Sequence, residues 1–336
     1  MGAGEAADTG SFSFECLLDY FLGLGKDLGM AGAPPVGERP GWVDDELFPF
    51  KSRFVELDGN VVHYVDEGSG PILLLLHSNP VWSFVYRDVI ATLRDRFRCI
   101  APDFPGFGLS TAAPGYRFTA REHSEVLLSF IERLDLTGMT LVGHSWGGPF
   151  GLYAAERQPE RFDRLVLTNT WAWTLNGDLS TEFFSRVGGG LVGRELIRRF
   201  DLMVKYFVPS AHKRRKVSDA EMNQYRQAMP TPALRRPCAA LPGQLIGARK
   251  FFRDLEDGLE SVHHMPTLLL WGDSDWIFPE KYRERWEAIL PNYTTTILKG
   301  VGHFPQSDAP GEFSEAIEAW WGGPADDRDL PTPDQN

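Results

Sequence analysis

The stretch that most constrains this chain is Leu141-Val142-Gly143-His144-Ser145-Trp146-Gly147-Gly148. A short apolar run, Met139 to Val142, leads into Gly-His-Ser-Trp-Gly, and helical spacing follows from Gly147 to Arg157. A serine on a tight strand-to-helix turn sits at a strained backbone conformation. Its neighbours two residues away must lack side chains so that strand and helix can pass closely. The turn also brings the first N–H groups of the helix beside the serine, where a developing oxyanion can use them. The pattern therefore predicts a nucleophile, Ser145, presented at the carboxyl end of a sheet strand.

The rest of the chain supplies a sheet for that strand. Strands are expected at Phe54–Leu57 and Val61–Val65, joined by Asp58-Gly59-Asn60, then at Ile72–Leu76 and Phe97–Ile100. Others follow at residues 139–142, Arg164–Leu167, Thr267–Trp271 and Thr294–Leu298. Continuous apolar runs such as Ile72–Leu76 suit strands buried on both faces of a parallel sheet. Helical patterns alternate with them at Phe84–Leu93, Ala120–Leu134, Pro279–Leu290 and Gly311–Trp321. This is an α/β pattern: a mostly parallel, doubly wound, eight-stranded sheet.

The rhythm breaks after Leu167. Residues 170–262 lack clear apolar strands and hold helical stretches such as Gly193–Phe207 and Asp219–Ala228. They read as a helical lid inserted between the sixth and seventh strands. The core is then 46–169 with 263–322, preceded by an extension, 1–45, and followed by a Pro/Asp-rich mobile tail, 323–336. Within the extension, residues 1–10 read as disordered. Phe14, Leu17, Leu18, Phe21 and Leu22 fall at helical spacing, and Gly29–Gly41 reads as a linker. The apolar face of that short helix needs a surface: the catalytic domain, a second copy of the chain in a homo-oligomer, or the mouth of the site.

Charge and cysteines narrow the function. A net charge of −12 argues against nucleic acid or an anionic membrane as partner. The one dense basic run, Lys213-Arg214-Arg215-Lys216, reads as a solvated helix face. Cys16, Cys99 and Cys238 have neither the number nor the spacing of a disulfide framework or a zinc site. Adjacent histidines such as His263-His264 point oppositely on an extended segment and make a poor metal pair. No signal peptide is visible, and the apolar run Cys16–Leu24 is too short to span a bilayer. The expectation is a cytoplasmic protein with no membrane span, no metal, no cofactor and a small-molecule substrate.

A serine hydroxyl is a weak nucleophile; it needs a base, and the base needs an orienting acid. Asp273 and Asp275 follow a strand in Trp-Gly-Asp-Ser-Asp-Trp, and His303 follows the last strand in Gly-Val-Gly-His-Phe-Pro. Both loops leave the carboxyl ends of strands, where open α/β sheets form their sites. Asp275 stands deeper in its loop and is the expected acid; Asp273 is the expected turn cap. The oxyanion donors are expected from the N–H groups of Trp146 and of Asn79, in His77-Ser78-Asn79-Pro80. Asp103–Ser110 reads as a structural loop held by Asp103. Trp171, Trp173 and Phe304 are the expected lining of an apolar pocket.

Several of these stretches resemble one family over roughly residues 45–322. They are His77-Ser78-Asn79-Pro80 with Trp82 and Tyr86-Arg87; Ala101–Ser110; Trp146-Gly147-Gly148-Pro149 with Gly151-Leu152; and Asn169-Thr170-Trp171-Ala172-Trp173. The chain resembles the haloalkane dehalogenase branch of the α/β-hydrolases, which also holds epoxide hydrolases. The resemblance implies the α/β-hydrolase fold, with Asn79 and Trp146 as halide binders, Asp275 as the acid and His303 as the base. Two residues depart from it: Ser78 stands where the family usually has Gly, and Ser145 stands where it has a nucleophilic Asp. A carboxylate that displaces halide leaves an ester, which water can open. A serine would leave an ether with no carbonyl to attack, so serine suits acyl transfer instead. The expected activity is a serine hydrolase cleaving a carboxylic ester, lactone or thioester of an apolar small molecule through an acyl-enzyme. Alternatives are a dehalogenase-like hydrolase, a non-hydrolytic cyclase or lyase on the same scaffold, and a non-catalytic small-molecule binding protein.

Overall fold

The computed structural model describes residues 37–322. The stretch holding Phe14 to Leu22 and the tail 323–336 lie outside the described residues. Eight strands form one sheet: β1 (Arg53–Leu57), β2 (Asn60–Glu67), β3 (Ile72–Leu76), β4 (Arg98–Pro102), β5 (Met139–His144), β6 (Phe162–Thr168), β7 (Thr267–Gly272) and β8 (Tyr293–Leu298). Their order is β1-β2-β4-β3-β5-β6-β7-β8. The first two pairings are antiparallel, and every pairing from β4 to β8 is parallel.

Local chemistry explains the frame. Asp58 and Gly59 both take positive φ, 51° and 79°, the geometry of a two-residue hairpin turn that suits strand twist. Leu73 to Leu76 and all of β5 and β7 are buried, because helices cover both faces of the sheet there. β8 forms one edge: Tyr293, Thr294 and Ile297 are exposed, Thr295 and Thr296 are half-buried, and only Leu298 is buried. Thr119 and Glu122 form a capping box that starts the helix Ala120–Arg133. Helix Gly147–Arg157 lies directly behind β5.

Between β6 and β7 the chain is helical: Leu179–Gly189, Leu191–Phe200, Asp219–Ala228, Arg236–Gly247 and Arg249–Gly258. Among the described residues no helix is long and apolar enough to cross a membrane.

Three sequence expectations change. The helix expected over Gly193–Phe207 is broken at Asp201, which takes a left-handed conformation (φ 54°). The basic run 213–216 is a loop, not a helix face. Its N–H groups at Lys213, Arg214 and Arg215 all donate to the Asp308 carboxylate, and the Arg215 guanidinium pairs with buried Glu221. The expected linker, Gly29–Gly41, lies outside the described residues up to 36; at its end Pro40 is buried, and Arg39 donates to the carbonyls of Phe48 and Phe50.

Candidate active site

Ser145 stands between β5 and the helix from Gly147, with φ at 49°, in the left-handed region that a non-glycine residue rarely enters. The flanking glycines are dictated by contact. A Cβ on Gly147 would lie 2.3 Å from the Leu76 carbonyl oxygen, and one on Gly143 would lie 2.8 Å from the Gly148 Cα. Hydrogen bonds hold the turn: the Thr170 hydroxyl donates to the Ser145 carbonyl at 2.6 Å, and the Ser145 N–H reaches the Thr168 carbonyl at 3.3 Å.

Asp275 and His303 meet from the loops after β7 and β8. Asp275 Oδ2 lies 2.8 Å from His303 Nδ1, and both residues are buried. Two further donors hold the carboxylate, the Ile277 N–H at 2.8 Å and Asn169 Nδ2 at 2.9 Å. Asn169 sits just past β6 at φ 41° and also accepts the Gly272 N–H at 3.0 Å. It thus ties the ends of β6 and β7 together and aims the acid. The sequence shows Asn169 at a strand end and as the first residue of the stretch Asn169-Thr170-Trp171-Ala172-Trp173, but attaches no role to it.

Below His303, His144 Nε2 approaches the His303 carbonyl at 2.6 Å. A carbonyl only accepts, so Nε2 carries the proton. Burial, with His303 beside it, keeps the His144 imidazole neutral, well below its ordinary pKa. The His303 N–H donates to the Ala211 carbonyl at 2.8 Å, and Asp308 accepts the Gly302 N–H at 2.8 Å. His303 is therefore fixed by its backbone as well as by Asp275.

Asp273 is held elsewhere. Its Oδ1 accepts the Gly300 N–H at 2.7 Å, and its other oxygen faces Lys299, so it closes the two loops against each other. Asp103 accepts the N–H groups of Ser83 and Leu109 and a contact from His63 Nδ1, and so holds its loop.

Ser145, His303, Asn79 and Trp146 line one cavity with about 820 Å³ of empty space, part of it open to solvent. Asn79 Nδ2 reaches the Cys238 carbonyl at 3.4 Å, while its buried Oδ1 has no partner among the described residues. The Trp146 N–H donates to Ser78 Oγ at 3.3 Å. Apart from His303, the wall carries no ionisable side chain among the described residues.

The expected aromatic lining is corrected. Trp171 is fully buried behind Trp146 and stacks on Phe252 and Phe278. Trp173 packs on Trp286 and Tyr282. Phe304 stacks on His212 and packs against His144. Trp171 and Phe304 pack behind the site, while Trp173 borders a separate depression with Tyr282 and Arg285. The wall is instead made by residues such as Phe184, Met203, Phe207, Leu245, Trp276 and Phe278; Trp276 closes the Trp-Gly-Asp-Ser-Asp-Trp motif, and the others lie in none.

A parallel sheet with a serine elbow after β5, an acid after β7 and a histidine after β8 defines the α/β-hydrolase class. The chain belongs to that family, in the branch of the haloalkane dehalogenases: the family model described as alpha/beta hydrolase fold matches residues 71–192 and 205–310. Haloalkane dehalogenase 2 of Mycobacterium tuberculosis is 39% identical over 276 residues, covering 82% of this chain and 96% of that protein. A cis-3-alkyl-4-alkyloxetan-2-one decarboxylase of Shewanella oneidensis is 31% identical over 289 residues, covering 82% and 89%. Among solved structures, haloalkane dehalogenase DbeA from Bradyrhizobium elkani superposes with a TM-score of 0.75 at 23% identity, over 82% of this chain and 98% of that one, a likeness of fold.

Proposed function

We propose that the chain is a serine hydrolase that cleaves a carboxylic ester, lactone or thioester of an apolar small molecule. The observation that carries this reading is Ser145 at φ 49° on the elbow, sharing a cavity with a histidine tied to Asp275 at 2.8 Å. Ser145 Oγ attacks the carbonyl carbon while His303 Nε2 takes its proton. Asp275 holds the proton on Nδ1, which leaves Nε2 as the acceptor. The oxyanion takes hydrogen bonds from the N–H groups of Trp146 and Asn79. His303 then protonates the departing alcohol, and finally activates water against the acyl-enzyme. The uncharged wall suits an apolar substrate. The name of the Shewanella relative gives that protein's substrate as an oxetan-2-one, a four-membered cyclic ester, and its reaction as decarboxylation, which is not hydrolysis.

A second reading is a haloalkane dehalogenase. The relatives' names, taken alone, support it better than the first, since the Mycobacterium relative at 39% identity carries that name. Against it stands the nucleophile. Displacement of halide by Ser145 ends in an ether, with no carbonyl for water to attack.

The test compares the native protein with Ser145→Ala on p-nitrophenyl esters, lactones and bromoalkanes, with products identified by mass spectrometry. Ester or lactone turnover is expected in the native protein, with kcat lower by on the order of 10⁴ or more in the variant. Multiple-turnover halide release by the native protein would overturn the reading. A product other than the hydrolysed acid would move the chain to the non-hydrolytic class.

A further inference from the structure

Ser78 has a role that the elbow and its acid–base pair do not account for. Its backbone is clamped by a buried histidine. His77 Nε2 accepts the Phe104 N–H at 2.9 Å, so the His77 proton is on Nδ1, which donates to the Ser78 carbonyl at 3.0 Å. The Val81 N–H donates to the same carbonyl at 3.1 Å. Burial lowers the His77 pKa, against the pull of Asp103, and keeps the ring in the neutral form this pattern requires.

The side chain held by this clamp reaches the backbone of the residue that follows Ser145. Ser78 is 2% exposed, and its Oγ accepts the Trp146 N–H at 3.3 Å. Trp146 directly follows the nucleophile, so its N–H points to where the oxygen of a tetrahedral intermediate would sit. The Ser78 hydroxyl stands beside that place, and its own proton meets no acceptor among the described residues. Nor does it meet a base: both nitrogens of the adjacent His77 are taken by backbone groups.

We infer that the Ser78 hydroxyl is a third donor to the oxyanion, a catalytic role that rests on the serine-hydrolase reading. In the resting site Ser78 Oγ satisfies the buried Trp146 N–H, which would otherwise lose a hydrogen bond. When the carbonyl oxygen gains charge, the Trp146 N–H turns to it, and the Ser78 O–H, rotating about its Cα–Cβ bond, donates to the same oxygen. Ser78 forms no bond to carbon and its proton stays on its oxygen. A donor of this kind is worth roughly 10²–10³ in kcat.

The experiment measures native protein, Ser78→Ala and Ser78→Thr. It reads kcat and KM on a p-nitrophenyl ester, the Kd of an alkylboronic acid that forms a tetrahedral adduct on Ser145, and Tm. Ser78→Ala is expected to lower kcat by about 10²–10³ and to weaken the boronic acid by a similar factor, with KM within about threefold. Ser78→Thr, which keeps the hydroxyl, is expected to regain most of both. A Ser78→Ala protein with native kcat and boronate affinity overturns the inference, as does a matching loss in Ser78→Thr. Failure of the underlying reading looks different: the native protein itself then shows no ester turnover and no fluorophosphonate label on Ser145, and the inference falls with it.

Discussion

The sheet core and the helical segment 170–262 are built on different terms. The segment carries fifteen Lys and Arg against ten Asp and Glu, while the rest of the chain carries nineteen against thirty-six. The core buries its apolar strands almost completely, with Leu73 to Leu76 at 0% exposure. The segment leaves large apolar side chains in solvent, among them Leu179 at 82%, Phe183 at 71% and Leu191 at 89%. Its helices are short, one ends on a left-handed Asp201, and two cross at bare glycines, where a Cβ on Gly189 would lie 2.2 Å from the Gly243 Cα. The core is over-determined and can hold a strained serine; the segment leaves more apolar surface in solvent and supplies part of the cavity wall, Phe184, Met203, Phe207 and Leu245. On this comparison, changes in the core should act on every substrate alike, and changes in the segment should act selectively.

The largest effect is expected at Asp275, in the core. Asp275→Asn is expected to lower kcat by on the order of 10³–10⁴ on all substrates, because the amide can no longer hold His303 in the productive tautomer. Asp273→Asn should leave kcat near native and lower Tm instead, since Asp273 accepts the Gly300 N–H and faces Lys299. Paired kinetics and melting curves check this. A larger kcat loss at Asp273 would reverse the two roles.

The same contrast explains what the sequence shows. Ser145, Asp275 and His303 were legible because each sits at the carboxyl end of a strand, and strands announce themselves by continuous apolar runs. The serine adds a steric signature, since only glycine fits at 143 and 147. Asn169 was hidden because its task, bridging Gly272 and Asp275, joins residues more than a hundred positions apart. The cavity wall was hidden for a related reason. Trp171 and Trp173 stand out by size and place, yet neither lines the cavity, and Phe184 and Leu245 reach it only through helix docking, which no local pattern encodes. The basic run 213–216 misled because its order comes from one distant carboxylate, Asp308.

A smaller, selective effect is expected at the wall. Phe184 is 41% exposed and lines the cavity from helix Leu179–Gly189. Phe184→Ala should lower kcat/KM for long apolar esters by about tenfold and leave acetate esters within about twofold, since only the longer group gives up apolar contact. Equal losses on both would show that Phe184 positions the catalytic groups, and the contrast between core and segment would weaken.

The seam between the two regions gives the smallest effect and a sign that can be worked out. Glu156 lies near the end of the core helix Gly147–Arg157 and packs against Gly258, where a Cβ would come within 2.5 Å of its carboxyl oxygen. One of its oxygens has no partner among the described residues, and Asp254, Asp257 and Glu260 line the same depression. Burial pushes its pKa up to about 8, against the pull of Arg157. The folded state therefore binds this proton more tightly than the unfolded chain, where the group titrates near 4.5. The stability it contributes is fully present below about pH 4.5 and is lost as pH rises through about 8. Glu156→Gln removes the charge and keeps the shape. The variant should melt close to native at about pH 5 and above native at about pH 9, by roughly 3 °C or more. Melting curves across that range test it. Parallel curves for the two proteins would mean that the carboxyl ionises as it does in water, and that the seam is as open to solvent as the exposed helices above it.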